Sequence, residues 1–160
     1  MGRIFAVRAL RESELPQAFP LVHALIPRLR LEAWLRYAQT LGELDGARAG
    51  VMSAFDEQGY ICGLFCYRME TGLEHGPKLL IEHACALDIV DRQGAIDALL
   101  GAIDDLARAL FCAQIDVHLD QAQVVLSAPH GPFIAALRAR GAIINGIRLS
   151  KPVENPIPEP

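Results

Sequence analysis

The heptapeptide Ile81-Glu82-His83-Ala84-Cys85-Ala86-Leu87 carries a carboxyl, an imidazole and a thiol within four residues of an otherwise apolar run. A carboxyl held in such surroundings is expected to have its pKa raised toward neutrality by loss of solvation, the property that suits a general base. The competing reading of Glu82 is a strand-edge carboxylate or one half of a structural ion pair. Successive strand residues point to opposite faces, so His83 is expected to face away from Glu82 and to serve packing or the surface. By the same count Cys62 and Cys66 share one face of the preceding strand, and His83 shares a face with Cys85. Structural zinc sites draw paired ligands from tight knuckles and not from the middle of apolar strands, so these cysteines are expected to be buried free thiols, with no metal. The turn Asp91-Arg92-Gln93-Gly94 is the remaining polar cluster next to a strong helical pattern.

The elements that must position these residues follow from periodicity. Ile4 to Leu10 reads as a strand. Ser13 is a candidate helix cap, followed by Leu15, Ala18, Phe19, Val22 and Ile26 at helical spacing, with Pro20 and Pro27 making this helix irregular and short. A second helix carries Leu31, Trp34, Leu35, Ala38 and Leu41, closed by Gly42. Val51 to Phe55, Tyr60 to Met69 and Leu79 to Leu87 read as three consecutive antiparallel strands separated by polar, glycine-containing turns. Ile96, Leu99, Leu100, Ile103, Leu106, Ala107 and Leu110 define the clearest helix, lying across the sheet. A strand from Gln114 to Leu119, a helix from Pro132 to Arg140 closed by Gly141, and a last strand from Ala142 to Leu149 complete the order β-α-α-β-β-β-α-β-α-β. One domain over 1–153 is expected, followed by a proline-rich, extended tail over 154–160.

Composition bounds the rest. A chain of 160 residues buries roughly 70% of its unfolded surface and needs no disulfide or metal to fold. Hydrophobic residues at 52% and charged residues at 21% exclude disorder and fibrous repeats. With 15 basic against 19 acidic side chains the net charge is -4, which argues against a nonspecific nucleic-acid binder. No apolar run reaches the ~20 residues of a membrane helix. The start MGRIFAVRAL runs directly into Arg11, Glu12 and Glu14 and has no signal-peptide core, so a cytoplasmic protein with reduced thiols is expected.

From Ile4 to about Val153, the element order resembles the GNAT fold of acyl-CoA N-acyltransferases. The likeness is carried by the strand Ile81 to Leu87 leading through Asp91-Arg92-Gln93-Gly94-Ala95-Ile96 into Leu99-Leu100, similar to the family's fourth strand, pyrophosphate loop and third helix. Ala24-Leu25-Ile26-Pro27-Arg28-Leu29 is similar to a helix link found in some members. The family loop reads Arg or Gln, two residues, Gly, one residue, Gly or Ala. Gly94 matches its first glycine, whereas Asp91 stands in place of the Arg or Gln and Ile96 in place of the second small residue. In such a loop, backbone N–H groups and the helix dipole hold the pyrophosphate; a carboxylate there repels it and a branched side chain crowds it.

The resemblance implies a mixed α+β fold, with a central, mostly antiparallel sheet of about seven strands or fewer flanked by about four helices. It further implies transfer of an acetyl or other acyl group from acetyl-CoA or another acyl-CoA to a small-molecule or protein amine, without a metal, nucleic acid or membrane, in a chain that can pair as a homodimer. Glu82 matches the general base. Ala84, Ala86, Arg92, Gln93, Gly94, Ala95 and Ile96 match the cofactor-binding positions. The family's thiolate-protonating tyrosine corresponds to Leu137; no tyrosine follows Tyr67, and Ser127 and His130 are the polar alternatives. The departures at Asp91, Ile96 and Leu137 support the alternative of a catalytically degenerate GNAT-like ligand-binding or interaction module.

Overall fold

The computed structural model describes residues 3–44, 46–87, 91–119, 131–146 and 148–154. A five-stranded sheet runs in the order β1-β2-β3-β4-β5, with β1 at Ala6–Ala9, β2 at Ala49–Phe55, β3 at Ile61–Gly72, β4 at Gly76–Ala86 and β5 at Gln114–Val117. The first three pairings are antiparallel and the last, β4 with β5, is parallel. Among the described residues four α-helices flank the sheet: α1 (Leu15–Leu25), α2 (Leu31–Glu43), α3 (Arg92–Ala109) and α4 (Gly131–Ala139). This is the mixed α+β architecture expected from the sequence.

Each face of the sheet closes its own core. Leu15, Ala18, Leu21 and Val22 of α1 and Trp34, Ala38 and Leu41 of α2 pack with Val51, Leu64, Cys66 and Cys85. The two helices are tied by Trp34, whose buried Nε1 donates to the Leu15 carbonyl at 2.8 Å. Pro16 sits in the first turn of α1, where a missing N–H costs nothing, and Pro20 lies inside the helix. Ser13 does not cap α1: it lies in a 3-10 turn, Glu12–Glu14, and the helix starts from Glu14, which is clamped by both guanidinium nitrogens of Arg8 at 2.8 Å. On the other face Ala95, Ile96, Leu99, Leu100, Ile103 and Ala107 of α3, with Phe133 of α4, cover Phe65, Leu79, Ile81, Ala84 and Ala86.

The last expected strand is absent from the described residues. Residues 142–146 and 148–154 belong to no strand, and Ile143 and Ile144 are each 81% exposed. Gly146, in the middle of the expected strand, has no side chain to pack and weakens it. Of the expected tail, 155–160 lies outside the described residues, and Glu154 is exposed and in no helix or strand.

Candidate functional site

β4 pairs with β5 only over Lys78–Ile81, against Gln114–Val117. Two further bonds flank this ladder, from the Ala113 amide to the Pro77 carbonyl at 2.8 Å and from the His118 amide to the Ile81 carbonyl at 2.9 Å. From Glu82 onward β4 keeps its pairing with β3, and among the described residues the β4–β5 ladder goes no further than Ile81.

The backbone at that point is irregular. Leu64 pairs with Cys85 but Cys66 pairs with Glu82, so His83 and Ala84 together oppose the single residue Phe65. This is a β-bulge, with His83 in the left-handed region at φ 55. For a residue with a Cβ that conformation is strained, and such strain concentrates at functional sites. The bulge also corrects the expectation that His83 faces away from Glu82: His83 Nε2 lies 3.8 Å from Glu82 Oε2. Both side chains are partly open, at 17% for Glu82 and 24% for His83. The Tyr37 ring of α2 meets the His83 ring edge-on, with centroids 5.4 Å apart.

Glu82 is not in apolar isolation. Arg68 Nη2 approaches its Oε1 at 3.3 Å and also reaches Glu70 at 3.4 Å. Lys78 continues the charged row, 3.8 Å from Glu70 and 2.9 Å from Asp116 of β5. Burial, and then the neighbouring Cys66 and Glu82, push the Tyr37 phenol well above its ordinary range, and Tyr37 shares a hydrogen bond with the Cys66 thiol. The neighbourhood of Glu82 thus holds a carboxylate, an imidazole, a guanidinium and a phenol that stays protonated. Tyr37 and Arg68 escaped the sequence reading. Arg68 was accessible through strand register, which sets it opposite Leu80, two residues from Glu82; Tyr37 had no comparable signal.

The cysteines do not gather. Ala54 pairs with Gly63 but Phe55 with Ile61, so Cys62 is an extra residue in β3 and falls on the α3 side, whereas Cys66 and Cys85 share the α1/α2 side. The shared face expected for Cys62 and Cys66 is lost to this second bulge. None of the four cysteines is in a disulfide. Among the described residues no three His, Cys, Asp or Glu side chains converge as a metal site. A groove of about 680 Å³ lies elsewhere, between the start of α1, the end of α2 and β2; it is lined by Leu15, Gln39, Glu43 and Tyr67 and does not include Glu82.

The residues matched to cofactor binding split into two groups. Ala84, Ala86, Ala95 and Ile96 are buried side chains of the α3 core. Ile96 therefore points into the protein and does not crowd the loop. Arg92, Gln93 and Gly94 form the first turn of α3. Gln93 donates to Asp97 at 3.1 Å, and Nε and Nη2 of Arg92 are buried without a hydrogen-bond partner. Asp91 caps this helix: its Oδ1 accepts the Gly94 amide at 2.9 Å and its Oδ2 accepts the Arg3 amide at 3.0 Å. Leu137 packs against the α3 core. Ser127 and His130 lie outside the described residues.

The sequence matches no family model and no curated protein. The structure matches solved chains over nearly their whole length. An aminoglycoside N-acetyltransferase solved in complex with CoA superposes with a TM-score of 0.73 at 14% identity, covering 97% of both chains. Glucosamine-6-phosphate N-acetyltransferase from Arabidopsis thaliana gives 0.69 at 15% identity, covering 94% of this chain and 99% of the other. A transcriptional regulator from Bacillus halodurans C-125 gives 0.77 at 14% identity, covering 94% and 100%. Identity at this level establishes architecture: the chain has the GNAT acetyltransferase fold. That an acetyltransferase and a transcriptional regulator share it shows why activity must be read from the site.

The CoA that this fold implies can be tested against the first turn of α3. The cation of Arg92 suits a diphosphate. The capped end does not, because the Gly94 amide already has an acceptor and that acceptor is a carboxylate. The turn as it stands does not fit the diphosphate.

Proposed function

We propose that the chain is an amine acyltransferase in which Glu82 accepts the proton lost by the attacking amine. The observation that supports this reading most directly is the partly exposed Glu82 carboxylate, which stands where the β4–β5 ladder ends among the described residues and beside a strained neighbour. Amide formation makes an N–C bond, breaks the bond from the acyl carbon to its leaving group, and releases one proton from nitrogen. A carboxylate at the point of attack takes that proton, and proton transfer of this kind contributes typically 10²- to 10⁴-fold to rate. Arg68 orients the Glu82 carboxylate, and the His83 imidazole lies beside it. The acyl donor is an acyl thioester, and the acceptor is a small-molecule or protein amine. Four cysteines outside any disulfide suit a cytoplasmic setting, and no described helix is long and apolar enough to cross a membrane.

The test is a screen of amines with acetyl thioesters, reading thiol release, followed by Glu82→Gln. The variant is expected to lose about 100-fold or more in turnover with its melting temperature nearly unchanged. Full activity would reassign Glu82 to the Arg68 ion pair. The second reading, a GNAT-shaped module without catalysis, draws on the Asp91 cap and on Leu137 in place of a proton donor. Saturable ligand binding with no acyl transfer to any amine would select it.

A further inference from the structure

A helix begins with backbone N–H groups that have no carbonyl partner within it, and this is the property that makes helix starts hold phosphates. In α3 the Ala95 amide reaches back to the Asp91 carbonyl at 3.1 Å, and the Gly94 amide is taken by Asp91 Oδ1. The second carboxylate oxygen is also engaged, by the Arg3 amide from the far end of the chain. Arg3 is itself anchored, its guanidinium 3.0 Å from the buried Asp56, whose other oxygen accepts the amides of Gln58 and Tyr60 at 2.9 Å. The carboxylate is thus fixed from two sides.

Gly94, the residue on which the likeness to a phosphate loop rests, has a local explanation. A Cβ at this position would lie 2.7 Å from Asp91 Cγ and 2.9 Å from Oδ1, and the three nearest atoms all belong to the Asp91 side chain. The absent side chain makes room for the protein's own carboxylate, leaving no need to invoke a bound phosphate. A diphosphate arriving here would lose the Gly94 donor and meet a fixed charge of its own sign, with Arg92 as the nearby compensating cation.

We propose that the start of α3 does not hold the nucleotide diphosphate of an acyl donor and that Asp91 is the residue that excludes it. This rests on the acyltransferase reading and specifies its donor class: acyl thioesters with or without an attached nucleotide.

Two measurements separate the donor question from the reading beneath it. With an amine found by the screen, kcat/KM for acetyl-CoA and for S-acetylpantetheine, which lacks the nucleotide and diphosphate, is expected to agree within about threefold. In Asp91→Asn, which keeps a capping oxygen and loses the charge, the preference for acetyl-CoA is expected to rise about tenfold or more. A preference of about 100-fold in the parent, or an unchanged ratio in Asp91→Asn, overturns the proposal. Independently of turnover, titration of the ¹⁵N-labelled parent with CoA at millimolar concentration is expected to leave the Gly94 amide resonance in place. A saturable shift of that resonance overturns the proposal. If neither donor is used with any amine, the acyltransferase reading falls, while the Gly94 resonance still decides whether the diphosphate binds there.

Discussion

Replacing Gly94 by alanine should change the sign of its effect according to what stands at position 91. In the parent, the new Cβ falls within contact distance of three Asp91 side-chain atoms, all at the tip of a short side chain that can swing away. Swinging away breaks the 2.9 Å bond to the Gly94 amide, and losing an N-cap of this kind costs about 1.5 kcal/mol. Against this stands the helical preference of alanine over glycine, about 0.7 kcal/mol in a first turn. The net expectation for Gly94→Ala is a loss of about 0.8 kcal/mol, or about 2–3 °C in melting temperature for a domain of this size. In an Asp91→Ala background the obstructing carboxylate is gone, only the propensity difference remains, and the same change should raise stability by about 0.7 kcal/mol. Urea denaturation of the four proteins closes a double-mutant cycle with a coupling of about 1.5 kcal/mol. A coupling below about 0.3 kcal/mol, the usual error of additivity, would refute the placement of the carboxylate on the Gly94 amide.

Trp34→Phe should cost about 2 kcal/mol in a urea titration, because it leaves the buried Leu15 carbonyl without its 2.8 Å donor; a neutral variant would mean that α1 and α2 are not tied there. Burial pushes the Cys85 thiol up to about 12 and that of Cys66 higher still, so at pH 8 both stay protonated and unreactive. Peptide mapping after brief alkylation of the native protein should therefore find label on the half-buried Cys112 first, and equal labelling of Cys66 would contradict its burial. Glu14 is held down to about 2 from its ordinary value of 4.5 by its bond to Arg8 and then by the Arg11 amide. Its contribution is therefore fully present above pH 4.5 and lost as pH falls toward 2. Glu14→Gln should lower stability slightly at pH 7, by less than about 1 kcal/mol for a pair this exposed, and the difference should vanish over that acid range.

The fold was legible because its strands and helices obey simple periods. The stripe through Trp34, Ala38 and Leu41 and the α3 pattern from Ile96 to Leu110 turn the same way in the structure as in the sequence. What escaped is what a period cannot carry. An extra residue in a ladder shifts every later side chain to the other face, so counting by two misplaces Cys62 relative to Cys66 and His83 relative to Glu82. Asp91 had a local signal, an aspartate directly before a helix, but that signal competes with a loop reading at the same spot. Arg68 reaches Glu82 across strands, and Tyr37 arrives from a helix more than forty residues away, through packing that no local pattern encodes. The segment after Gly141 shows the opposite failure: Ile143 and Ile144 have strand propensity, but the structure gives them no strand.

The two bonds that hold Asp91 differ in how far along the chain they reach. Gly94 is 3 residues away and Arg3 is 88, so half of this cap forms with the first turn of the helix and the other half waits for a distant segment to arrive. Closing a span of that length is among the slower steps of assembly, since the entropy of the intervening chain must first be overcome. The same asymmetry governs the folded protein: a brief detachment of the segment before β1 strips Asp91 of one donor without disturbing a single bond inside α3. The exchange rate of the Arg3 amide then records how often the chain start lets go, and the Gly94 amide, when it exchanges on the same schedule, records whether the helix start follows it.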